Sequence, residues 1–138
     1  MNSLDGKVAL VTGAASKRGM GHAIALRLAE EGANVVIVDK HAAPRSLFPG
    51  DEGWGGLDEI VTEIESLGSE GLAVVADISH SQTIDETVAE AQNKFGKIDI
   101  LVHCAAVRGS VTTPLVDLDE KDWRGNRYRG WFHLKHSG

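Results

Sequence analysis

The sequence predicts an α/β fold, a doubly wound parallel sheet of about four strands in the order 3-2-1-4. Three observations carry that prediction. Short, unbroken, β-rich apolar runs alternate with amphipathic helical stretches along the chain, and regular alternation of this kind implies a parallel sheet covered by helices. A glycine-rich turn from Gly13 to Gly21 joins the first apolar run to the first helical stretch, and an acidic residue, Asp39, closes the second run. At 138 residues the chain suits one domain and is too short for two of ordinary size.

Val8-Ala9-Leu10-Val11 and Val35-Val36-Ile37-Val38 read as strands covered on both faces, because neither run carries a polar side. Between them, Ile24, Leu26, Leu28 and Ala29 fall among Arg27, Glu30 and Glu31 in an amphipathic helix that stops at Gly32. The alternation continues with a helix over 57–67, a strand over 72–75, a helix over 81–95 and a strand over 98–103. The stretch 41–56 interrupts it: two prolines, four glycines and the aromatics Phe48 and Trp54 suit neither element. It is longer than most connections in compact α/β units and reads as a surface loop inserted after the second strand.

The net charge of −6 provides no basic stripe for nucleic acid, so small molecules are the expected partners. Cys104, the single cysteine, has no disulfide partner within the chain, and the first residues lack a signal-peptide pattern. A cytoplasmic location is the expectation. The longest apolar runs, such as Val35 to Val38 and Leu72 to Ala76, fall far short of the roughly 18 residues of a membrane helix. Histidines at 22, 41, 80, 103, 133 and 136 show no metal-ligand spacing.

The first strand runs straight into Thr12-Gly13-Ala14-Ala15-Ser16-Lys17-Arg18-Gly19-Met20-Gly21, and a helix follows at once. Glycines let a backbone turn tightly and approach a pyrophosphate, while the helix N-terminus beyond them offers free N–H groups and a positive dipole end. Asp39 lies close to the roughly 20-residue offset at which a carboxylate meets the adenosine ribose hydroxyls of a dinucleotide. A carboxylate there repels the 2′-phosphate of NADP and favours NAD. Arg18 and Lys40 argue the other way, since a cation just before Gly19 or just after Asp39 can reach such a phosphate. Asp39 also has a plainer reading, as the first residue of a loop.

By these motifs the chain resembles the short-chain dehydrogenase/reductase family, over about residues 4–123. The family's Thr-Gly-x-x-x-Gly-x-Gly turn is matched by Thr12, Gly13, Gly19 and Gly21, with five residues instead of three between the first two glycines. The resemblance implies a Rossmann-like half-domain over 1–123 in which Gly13, Ser16, Arg18, Gly19, Met20 and Gly21 of the turn, with Asp39, hold the cofactor. Asp77, after the third strand, matches the family aspartate at the adenine ring, with Ile78 against the base; its plainer role is to cap the next helix. Where the family has Asn-Asn-Ala-Gly, this chain has His103-Cys104-Ala105-Ala106. Small side chains at Ala105 and Ala106 would let the backbone approach a ribose. Cys104 would touch the cofactor as a small filler and not as a nucleophile, and His103 reads as a core or near-core histidine.

Family members carry a Ser and a Tyr-x-x-x-Lys beyond this half, the Tyr serving as acid or base. Neither is matched: the only tyrosine is Tyr128, followed four residues on by Phe132, and Leu115 stands where the serine would fall. The family asparagine is likewise out of register, since Asn126 lies only three residues after Trp123. The stretch 124–138 has weak periodicity and reads as an irregular or altered tail, and the expectation is a truncated or frame-disturbed form of a longer enzyme. The resemblance implies NAD(P)-dependent hydride transfer between nicotinamide and a small-molecule alcohol or carbonyl substrate, with no nucleic-acid or membrane partner and a homo-oligomeric full-length relative. The alternative is a non-catalytic dinucleotide-binding module. No catalytic or metal-binding residue is assigned within the chain.

Overall fold

A computed structural model describes residues 2–44, 48–105 and 117. Strands β1 (Val8–Thr12), β2 (Asn34–Asp39), β3 (Gly71–Val75) and β4 (Ile100–His103) alternate with helices α1 (Met20–Glu30), α2 (Leu57–Ser66) and α3 (Ser81–Phe95). The strands form one parallel sheet in the order β3-β2-β1-β4, as the sequence predicts. After two crossovers to one side of β1, the chain returns past β1 to place β4 on the other.

Successive strand residues point to opposite faces, and the core divides accordingly. Val11, Val35 and Ile37 pack beneath Ala25 and Ala29 of α1 and Leu57, Ile60 and Ile64 of α2. Val8, Leu10, Val36 and Val38 point the other way, with Val74, Ala76 and Ala91 of α3. Helices on both faces leave β1 and β2 no solvent side, which is why these two strands read as unbroken apolar runs. On the α3 face an apolar hollow of about 190 Å³ remains between Leu10, Val38, Ile78, Ile84, Val88 and Leu101.

Element ends follow local chemistry. α1 stops at Glu30 ahead of Gly32, whose φ of +97° continues no helix. α3 ends where Gly96 takes the left-handed conformation as its C-cap. β4 begins at Ile100, two residues later than the apolar run suggests, and just ahead of it Asp99 engages β1 through both backbone and side chain. Its N–H donates to the Val8 carbonyl, and its Oδ2 accepts from the Val8 N–H at 2.9 Å. The segment 41–56 contains no helix or strand among its described residues.

Candidate cofactor site

The carboxyl ends of all four strands meet at one edge of the sheet. Thr12 is level with Val38 on one side and His103 on the other, and Asp39 is level with Val75. Immediately beyond β1 the chain turns at Gly13, whose φ of +72° is open to glycine at little cost. Its N–H donates to the Val38 carbonyl at 2.8 Å. A Cβ at Gly13 would lie 2.7 Å from the Ala105 backbone, and one at Gly21 would lie 2.6 Å from the Gly13 carbonyl oxygen. Both glycines are therefore required by backbone packing against backbone, the close helix–strand approach that the motif anticipates.

Gly19 serves as N-cap of α1, where no side chain caps the helix and no acid lies in the first turn. Those first N–H groups and the positive end of the dipole are the features an anionic ligand uses. Met20, 74% exposed, opens the helix on the solvent side, and Ser16 accepts the Gly19 N–H through its carbonyl. The turn from Gly13 to Gly21 and the end of β2 are joined directly: Asp39 Oδ2 accepts the Ala15 N–H at 3.0 Å, and Oδ1 accepts the His41 N–H at 3.3 Å. Each carboxylate oxygen has a second lone pair. The loop-opening role and a ligand-binding role are therefore compatible in one side chain.

Asp77 accepts the Ser79 N–H at 2.9 Å, a turn that leads into α3, whose N-cap is His80. Burial opposes the ionisation of Asp77, but the Ser79 hydrogen bonds together with Lys40 and His80 outweigh it and hold its pKa below the ordinary carboxylate value. Ile78 is partly buried against the α3-side core and lines the apolar hollow. At the β4 end, Thr12 Oγ1 contacts His103 Nδ1 at 2.9 Å and accepts the Ala105 N–H at 3.2 Å, while the Cys104 N–H donates to the Thr12 carbonyl. Burial lowers the pKa of His103, so this imidazole is neutral near pH 7 and lies at the core margin. Cys104 is half-buried and free. Ala106, Tyr128 and Asn126 lie outside the described residues.

Arg18, read from the sequence as a cation for a 2′-phosphate, is already paired. Its Nε and Nη2 donate to the two oxygens of Asp51 at 2.9 and 3.0 Å. Lys40, the other such cation, stands 3.7 Å from Asp77. Sequence reasoning gave no role to Asp51 or Trp54, both in the long loop. Trp54 donates its indole N–H to the Ala15 carbonyl at 2.8 Å and packs against His22. The presence of an acid and a tryptophan among turn-forming residues was the only sign available.

A parallel 3-2-1-4 sheet with a glycine turn leading from its first strand into a helix defines a Rossmann-like α/β protein. The chain belongs to the short chain dehydrogenase family, whose model matches residues 7–126. It is 39% identical over 119 residues to hydroxysteroid dehydrogenase-like protein 2 of Danio rerio, covering 84% of this chain and 27% of that one. It is 34% identical over 138 residues to L-rhamnose 1-dehydrogenase (NAD(P)(+)) of a Sphingomonas species, covering 98% and 49% respectively. The crystal structure of carveol dehydrogenase from Mycobacterium avium in complex with NAD matches with a TM-score of 0.78 at 26% identity, over 100% of this chain and 50% of that one. The chain thus spans half or less of the length of these relatives.

Proposed function

We propose that this chain is the cofactor-binding half of an NAD(P)-dependent oxidoreductase that transfers a hydride between nicotinamide and a small alcohol or carbonyl substrate. The observation that carries the reading is the junction at the carboxyl edge of the sheet, where Asp39 reaches the backbone of the glycine turn through the Ala15 N–H. In that place Asp39 faces the adenosine ribose, and the uncapped start of α1 beyond Gly19 receives the pyrophosphate. Gly13, Ser16, Arg18, Gly19, Met20 and Gly21 shape the turn. Asp77 and Ile78 flank the adenine, and Cys104 and Ala105 form the floor towards the nicotinamide ribose; Ala106 is assigned there by the family resemblance alone. When bound, the dinucleotide supplies the hydride chemistry; the residues named here bind and orient it.

NAD is the preferred cofactor on this reading. Asp39 repels a 2′-phosphate, and the two cations that the sequence offers for such a phosphate stand against carboxylates, Arg18 at Asp51 and Lys40 at Asp77. The substrate class is carried over from relatives named as alcohol and sugar dehydrogenases. Calorimetric titration with NAD, NADP and ADP-ribose tests the reading. Saturable binding with NAD ahead of NADP is expected, and no binding of any of the three would overturn it. A second reading, a dinucleotide-binding module without turnover, is favoured by one observation: these 138 residues hold no Tyr-x-x-x-Lys.

A further inference from the structure

The loop between β2 and α2 brings a carboxylate, Asp51, against the glycine turn. The Asp51 side chain is 4% exposed although it belongs to a loop rich in glycine and proline. Arg18 closes on it from the glycine turn through Nε and Nη2, and Lys17 Nζ stands 3.6 Å from Oδ1. The second Nη2 interaction goes to the Pro49 carbonyl at 3.4 Å, and the guanidinium lies over the Phe48 ring, 5.3 Å from its centroid. The loop therefore grips Arg18 by charge, by hydrogen bonds and by an aromatic face. The pairing holds the Arg18 pKa above and the Asp51 pKa below their ordinary values, each chiefly through the hydrogen bonds between them.

Arg18 is placed where it matters for cofactor choice. Three residues before it, Ala15 is tied to Asp39, the residue that faces the adenosine ribose. A free guanidinium at this point of the turn would suit a 2′-phosphate, which accepts bidentate hydrogen bonds from arginine. We infer that Asp51 is a specificity-determining residue: by holding Arg18 in a bidentate pair, it withholds that cation from a ribose 2′-phosphate and tilts the site towards NAD. To serve the phosphate, Arg18 would have to give up both hydrogen bonds to a carboxylate that is shielded from water, leaving that carboxylate only the longer Lys17 contact. The inference rests on the cofactor reading above.

The test uses ADP-ribose and ADP-ribose 2′-phosphate, which differ only in the group at issue. Both are titrated into the wild-type chain, Asp51→Asn, Asp51→Glu and the double variant Asp51→Asn/Arg18→Ala. Asp51→Asn should shift the affinity ratio towards the 2′-phosphate by about tenfold or more, the scale of a charge-assisted hydrogen bond. Asp51→Glu, which keeps the pair, should leave the ratio near that of the wild type, and the shift should vanish in the double variant. An unchanged ratio in Asp51→Asn, or a shift that survives without Arg18, overturns the inference while leaving the cofactor reading intact. A wild type that binds neither probe overturns both. Should Asp51→Asn loosen the loop, the wild type still decides by NMR. Its Arg18 Nε–H resonance should stay in place at saturating ADP-ribose 2′-phosphate, and displacement of that resonance overturns the inference.

Discussion

Asp39 shows how one side chain can hold both a fold and a ligand. Its carboxylate accepts N–H groups from Ala15 and His41, and on the proposed reading it also accepts from the ribose. Asp39→Ala should weaken NAD binding by about 1.5–3 kcal/mol, the worth of hydrogen bonds to a charged group. NADP should lose less, because the same change removes a repulsion. Calorimetry with both cofactors checks this, and an unchanged NAD affinity removes Asp39 from the site. The glycines separate steric from conformational demands. Gly6 and Gly13 have similar positive φ values, but a Cβ at Gly6 meets nothing within 4 Å, whereas one at Gly13 meets the Ala105 backbone. In urea unfolding, Gly6→Ala should cost about 1–2 kcal/mol, the conformational penalty alone. Gly13→Ala should cost about 1–3 kcal/mol more, from overpacking against a backbone. Equal costs at the two positions would contradict the close packing of the turn on β4.

At the scale of elements, two contacts join pieces of chain that lie far apart in sequence. Thr12 of β1 and His103 of β4 meet through Oγ1 and Nδ1 at the carboxyl edge. Burial holds the folded-state pKa of His103 below its value in the unfolded chain, so the unfolded state takes up a proton first as the pH falls. The stability owed to neutral His103 is complete above about pH 6.5 and is lost as the pH falls through the lowered folded value. Urea melts at pH 7 and pH 5 should therefore show a larger loss for the wild type than for His103→Asn, which carries no titrating group. Equal losses would place His103 in ordinary solvent. The second contact is Trp54 Nε1 to the Ala15 carbonyl, which binds the long loop to the glycine turn. Trp54→Phe keeps the apolar ring and removes the donor, at a cost of about 0.5–1.5 kcal/mol. Faster proteolytic cleavage within 41–56 is the expected result, and an unchanged cleavage rate would show that the loop is held without this bond.

For the whole molecule, the prediction concerns turnover. A protein made of these 138 residues should oxidise no alcohol and reduce no ketone at a measurable rate, because the family's Tyr-x-x-x-Lys is not among them. Loss of a positioned acid/base group alone removes roughly 10²- to 10⁴-fold in rate, and a substrate not held in place loses more. Absorbance of the reduced cofactor, followed with a broad substrate panel at high protein concentration, gives the answer. Clear turnover from homogeneous protein would assign acid/base chemistry to a residue outside the family pattern. Binding of ADP-ribose in the same preparation would show that the adenosine side works without turnover.

Sequence alone determined the elements and their order. Apolar runs flanked by amphipathic stretches leave a chain only a buried sheet with helices on both faces, and the common hand of βαβ crossovers restricts how such strands can be ordered. The turn from Gly13 to Gly21 and the place of Asp39 were legible for the same reason: a tight turn and a strand end are local events with local signatures. The start of β4 was misplaced by two residues, and periodicity could not see that the Asp99 side chain just ahead of it accepts the Val8 N–H. The partners of the charged groups were equally out of reach. Arg18 read as a free cation until the fold brought Asp51 against it, and Trp54 read as one more loop residue until it met Ala15. Hydrophobic periodicity reports which residues leave water, and it is carried by neighbours along the chain. An ion pair between a turn and a loop more than thirty residues on has no period, so only the tertiary structure decided it.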